Sequence, residues 1–217
     1  MLTNFTLAGL ITNVIILVIA LPVHEMAHAW VADYFGDMTP RMSGRLTLNP
    51  LAHLDVVGSL LLIFAGFGWA KPVPINPYVL GRRSPAAVML VSLAGPATNL
   101  LMAILAAIPF RLGLVTPFYT TSTVLPTLSS FLWSFITINL ALFLFNLIPI
   151  APLDGEKILG YFFPPSWNQA LARIAPYGPM ILMAVFFVLP VFGFNLFSII
   201  LNPPLTFLQR LLTGVAL

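Results

Sequence analysis

The stretch FTLAGLITNVIILVIALPVHEMAHAWVADY, residues 5–34, decides what kind of fold this chain can have. Residues 5–23 carry no ionisable side chain. At 1.5 Å per residue, a helix of about 20 residues crosses the ~30 Å hydrocarbon core of a bilayer. Residues 5–34 exceed that length, so the helix is expected to tilt or protrude. No basic segment precedes the apolar run, and no small-residue cleavage site follows it before His24 and Glu25. It reads as a retained transmembrane helix, not a signal peptide.

The rest of the chain has the same character. Of 217 residues, 59% are hydrophobic and 7% charged, with a mean hydropathy of +1.01. Soluble domains carry about 25% charged residues, so this chain cannot cover a water-facing surface and its surroundings are lipid. The net charge of +3 comes with nine Lys and Arg, standing singly or in pairs. No basic run interleaves with aromatics, which argues against a nucleic-acid partner and fits membrane-flanking charge. The absence of cysteine excludes disulfides, thiol nucleophiles and thiolate metal sites.

Residues 36–55 are the most polar stretch, and the apolar residues 56–65 are too short to span, which predicts a re-entrant segment. Over residues 66–78, Pro72 and Pro74 forbid a helix and favour an extended, hairpin-like path. Residues 86–110, interrupted at Gly95-Pro96, and 124–148 are clear spans; residues 158–163 form a short apolar segment. Residues 176–190 and 194–212 supply one or two more, with breaks expected at Pro190, Gly193 and Asn202-Pro203-Pro204. The predicted fold is an all-α integral membrane protein, a polytopic bundle of five or six membrane segments with a short re-entrant segment and a small extended stretch. One domain covers 1–217, its chemistry in about 5–160 and further membrane segments in about 176–212. If 56–65 turns back, Arg41, Arg45, Lys71, Arg82, Arg83 and Lys157 share one side, which the positive-inside rule assigns to the cytoplasm, leaving Arg111 opposite.

His24-Glu25-Met26-Ala27-His28 is an H-E-x-x-H pattern. On a helix, positions i and i+4 put both imidazoles on one face, able to chelate one metal. The glutamate beside them can take a proton from water that the metal activates. Ionisable residues within a membrane are costly and mark function. A catalytic zinc site needs a third protein ligand, and Asp154, His53, Asp55 and Asp33 are candidates. Depth favours Asp154: it follows a segment ending on the side where His28 nears the end of its own helix. Pro149 and Pro152 break that helix before Asp154, and Gly155 permits a tight turn.

Three elements occur in order: HEMAH at 24–28, AGPATN at 94–99 and NLIPIAPLDG at 146–155. Together they resemble the site-2 protease family of intramembrane zinc metalloproteases, over about residues 10–160. The resemblance implies Zn2+ held by His24, His28 and Asp154, with Glu25 as general base. It implies that Asn99 binds substrate or polarises the scissile carbonyl, and that the substrate is a transmembrane segment of another membrane protein. With no PDZ-like or regulatory nucleotide-binding segment, the chain resembles a minimal member.

A helical substrate hides its carbonyls in hydrogen bonds and must unwind; the stretch 66–78, with Val73 and Ile75, is expected to offer it a strand edge. Water needs a polar path to the metal from the basic side. Plainer roles stand beside these. Asn99 can bridge helices, Asn146 can brace the broken helix, and His53 can be an interfacial histidine. The alternatives to a protease are a membrane metal transporter and an inactive scaffold that binds transmembrane helices.

Overall fold

The computed structural model describes residues 6–55, 58, 70–116 and 125–215. Helix α1 (Leu7–Tyr34) opens on Thr6, whose Oγ1 accepts the Gly9 N–H at 3.1 Å. It closes on Gly36, whose φ of 88° turns the chain so that the Asp37 N–H reaches the Ala32 carbonyl at 3.0 Å; only glycine adopts that conformation at little cost. Ala8, Thr12, Ile16, Ala20, His24 and His28 stand four residues apart, all buried, and make one stripe down the helix. Leu10, Val14, Ile15, Val18 and Ile19 face outward. In lipid, burial of apolar surface does not drive helices together, so small residues that allow close approach set the contact face. The metal-binding pattern therefore continues the packing stripe.

Among the described residues three short helices follow: α2 (Thr39–Met42), α3 (Pro50–His53) and α4 (Pro77–Arg83). Helix α5 (Ala87–Arg111) packs along α1 and runs antiparallel to it: His28 lies beside Val91 and His24 beside Asn99. The break expected at Gly95-Pro96 does not occur; the helix continues through Pro96 and Pro109. Helix α6 (Leu128–Asn146) returns along α5, with Asn139 on Asn99 and the Trp133 ring 5.9 Å from that of Phe110. Ala103 and Ala107 of α5 and Ile136 and Leu140 of α6 form a buried core, against which Leu205, Leu208 and Leu212 pack.

Residues 147–153, with Pro149 and Pro152, are irregular, and α7 (Asp154–Phe162) begins at the aspartate itself. Gly155 does not make the expected tight turn. It lies in α7 without a positive φ, and a Cβ there would run into the carbonyls of Leu147 and Ile148. Helix α8 (Pro165–Val191) includes a 3-10 turn at Ala175–Tyr177 and a π turn at Ala184–Val188. Helix α9 (Leu196–Thr213) runs unbroken through Pro203-Pro204, where a break was expected. The pair removes two N–H donors, a loss that membrane helices tolerate when neighbours pack on them, as α5 and α6 do here.

Four helices among the described residues are long and apolar enough to cross a membrane: α1, α5, α6 and α8. The expected re-entrant segment 56–65 lies outside the described residues apart from Gly58, as do residues 66–69. Residues 71–76 are non-helical, as Pro72 and Pro74 require. An antiparallel bridge joins Leu54 to Ala70, and the Lys71 N–H donates to the His53 carbonyl at 2.8 Å. No strand forms among the described residues.

Candidate metal centre

The i, i+4 spacing in α1 brings the His24 and His28 Nε2 atoms 3.0 Å apart. Asp154 Oδ2, at the first turn of α7, lies 3.3 Å from His24 Nε2 and 3.4 Å from His28 Nε2. Ligand atoms about 2.1 Å from one tetrahedral zinc stand about 3.4 Å from one another. The triangle fits that ion, and among the described residues it is the one group of three His or acidic side chains close enough to share a metal.

Each ring is held from behind. His28 Nδ1–H donates to the Val91 carbonyl at 2.7 Å, and His24 Nδ1–H to Asn99 Oδ1 at 2.5 Å. Such bonds put the ring proton on Nδ1 and leave Nε2 free for a metal. Gly95 lies against both imidazoles; a Cβ there would collide with His28 Nε2 and sit 2.6 Å from His24 Cε1. Asp154 is pinned through Gly155, whose missing side chain lets α7 dock on the 147–148 carbonyls. The Asp154 side chain keeps 15% exposure.

Glu25 is buried beside His24 and stays outside the three-residue ligand group. Asn99 is fully buried, its oxygen on His24 and its nitrogen donating to Asn139 Oδ1 at 3.0 Å. The other ligand candidates point elsewhere. Asp33 takes both bonds of a fork from Arg41 at 2.6 and 2.8 Å, and His53 Nε2–H donates to the Thr47 carbonyl at 2.8 Å. Asp55 Oδ1 accepts the Gly58 N–H at 2.8 Å. Asn146 bonds back to the Leu142 carbonyl at 3.0 Å within its own helix. Val73 and Ile75 are half-buried in the extended stretch, and Ile75 packs against the buried cluster formed by Ala32, Leu80, Ala87 and Val91. Buried Asp37 holds this stretch in place, accepting the Asn76 N–H at 2.5 Å and the Thr39 N–H at 3.0 Å.

Sequence reasoning did not find Val91 or Asn139. A main-chain carbonyl leaves no signature in sequence. Asn139 did leave one, as an amide in the middle of a membrane-spanning helix that carries no charged side chain, where a polar group demands a partner.

A family model for peptidase family M50 matches residues 111–191. "Putative zinc metalloprotease YwhC" of Bacillus subtilis is 40% identical over 193 residues, covering 86% of this chain and 84% of that protein. "Putative zinc metalloprotease Rip2" of Mycolicibacterium smegmatis is 35% identical over 188 residues, 80% of this chain and 67% of its own length. Its namesake in Mycobacterium tuberculosis strain H37Rv is 30% identical over 175 residues, 77% and 63% of the two chains. No solved structure matches the chain. Similarity that runs through most of the chain, and not through one motif alone, makes this protein a member of peptidase family M50, the site-2 protease family of membrane metalloproteases.

Proposed function

We propose that the chain is an intramembrane zinc metalloprotease that hydrolyses a peptide bond in or near a transmembrane segment of a membrane-protein substrate. The observation that carries this reading is the triangle of His24 Nε2, His28 Nε2 and Asp154 Oδ2, with sides of 3.0, 3.3 and 3.4 Å. Two imidazoles and one carboxylate are three protein ligands, the number that would hold a catalytic zinc and still let it take up water. The similar proteins named as zinc metalloproteases support the choice of metal.

His24, His28 and Asp154 would hold the zinc, which would supply Lewis acidity toward water and the scissile carbonyl. Glu25 takes the proton from the attacking water as its oxygen adds to the carbonyl carbon, then passes it to the leaving amine as the C–N bond breaks. Asn99 uses its oxygen and one N–H on His24 and Asn139; its second amide hydrogen is the one to polarise the carbonyl. Val73 and Ile75 present a strand edge to the unwound substrate. The whole of 1–217 acts as one domain, with catalysis in about 5–160. Helix α9, which packs along α5 and α6, would add a further membrane segment to the four long apolar helices, toward the five or six of this reading. The end bearing His28 and Asp154 faces the cytoplasm, because Arg41, Arg45, Lys71, Arg82, Arg83 and Lys157 border it.

The test is cleavage of a membrane peptide by the detergent-purified protein beside its Glu25→Gln variant. The variant should keep its zinc and lose at least 100-fold in rate; full activity in it would falsify the mechanism. Zinc uptake into proteoliposomes without cleavage would indicate a transporter. Peptide binding without cleavage would indicate a scaffold.

A further inference from the structure

The buried polar structure extends one residue beyond the groups already assigned. Asn139, in the middle of α6, is fully buried. Its Nδ2 lies 2.9 Å from the Phe135 carbonyl, and its Oδ1 lies 3.0 Å from Asn99 Nδ2. A carbonyl only accepts, so Asn139 must present its NH2 to Phe135 and its oxygen to Asn99. Asn99 must then present its own NH2 to Asn139 and its oxygen to α1. His24 Nδ1, 2.5 Å from that oxygen, must therefore carry the ring hydrogen. The direction of every bond follows from the acceptor at the far end. Flipping either amide alone would set NH2 against NH2 or oxygen against oxygen in a low-dielectric interior, where unsatisfied polar groups are costly.

We propose that Asn139 is a positioning residue of the metal centre: through Asn99 it holds His24 as the Nδ1–H tautomer and so keeps Nε2 free for zinc. This rests on the zinc-protease reading above. His28 needs no such relay, because the Val91 carbonyl sets its tautomer directly. His24 meets a side-chain amide instead, and an amide can present either end. Asn139 removes that choice from two helices away.

The full chain in detergent, as wild type, Asn139→Leu, Asn99→Leu and the double variant, is titrated with zinc against a chromophoric chelator and with Co2+ by visible absorption. Outer partners of metal-bound histidines typically contribute 10–100-fold to metal affinity. Asn139→Leu should weaken zinc at least 10-fold and alter the cobalt bands. Because Asn139 acts only through Asn99, the double variant should bind zinc no more weakly than Asn99→Leu alone. Asn139→Asp should restore affinity to within threefold of wild type, since a buried carboxyl stays protonated and can donate to Phe135 while accepting from Asn99. Should the leucine not be accommodated, Asn139→Ala makes the same test.

Wild-type zinc affinity and an unchanged cobalt spectrum in Asn139→Leu would overturn the proposal, as would losses that multiply in the double variant. Failure of Asn139→Asp to recover affinity would count equally against it. A wild-type chain that binds no zinc would overturn the protease reading and this inference together. Tight zinc binding by wild type and Asn139→Leu alike would remove only the latter.

Discussion

Gly95 shows how much of the site depends on an absent side chain. Both imidazoles occupy the space where its Cβ would stand. Alanine is the better helix former by about 1 kcal/mol, so Gly95→Ala should leave α5 helical. It should nonetheless push the rings apart and weaken zinc binding at least tenfold, about 1.4 kcal/mol. Chelator competition beside a circular-dichroism melt separates the two effects; wild-type zinc affinity would show that the rings do not depend on that gap. The HEMAH spacing makes the imidazole pair legible in the amino-acid order alone, because i, i+4 geometry is a property of the backbone. The glycine reads there only as a point of close helix approach. What it approaches is 67–71 residues away in the chain.

At the level of elements, two connectors bear on the proposed chemistry. The stretch 71–76 is kept non-helical by Pro72 and Pro74 and anchored by Asp37 through the Asn76 N–H. If Val73 pairs with substrate along its main chain, Val73→Pro removes an N–H that pairing needs. Cleavage should then fall about tenfold or more while zinc content stays unchanged; undiminished turnover would remove the strand-edge role. The other connector, 147–153, lies under α8, where Gly178 abuts the Ala151 carbonyl. Gly178→Ala overpacks this contact and should destabilise the fold by about 1–3 kcal/mol, visible as a lower thermal midpoint in detergent. The prolines at 149 and 152 are legible as helix breakers, but the contact between α8 and the loop is not, since neither segment's composition names its neighbour.

The bundle taken together has two unlike ends. His28, Asp154 and most basic residues border one, while Arg111 stands at the other and donates from Nη2 to the Leu211 carbonyl near the end of α9 at 2.6 Å. A cation at a helix C-terminus contributes about 0.3–1 kcal/mol, so Arg111 has a structural reason to break the charge bias. Arg111→Ala should lower the thermal midpoint slightly and leave zinc affinity unaltered, by melt and chelator titration; a tenfold loss of zinc would tie that end to the site. Because the chain has no cysteine, orientation can be read from single introduced thiols. In intact cells an impermeant maleimide should label Leu112→Cys and spare Arg83→Cys until the membrane is opened. The reverse pattern would turn the site away from the cytoplasm.

Hydropathy and helical periodicity are local and survive without knowledge of neighbours, so the order of residues alone establishes the solvent, the long apolar helices and the paired histidines. Which of Asp33, His53, Asp55 and Asp154 lies beside those histidines depends on packing across the fold: Asp154 Oδ2 stands 3.3 and 3.4 Å from their Nε2 atoms, while Asp33, His53 and Asp55 bond elsewhere. Packing also settles that α9 continues through Pro203-Pro204 and that Gly155 serves docking, not turning. Both outcomes depend on side chains far apart in the chain meeting across helix faces. Helix association in lipid selects those meetings by shape and hydrogen bonding, neither of which the hydropathy pattern encodes.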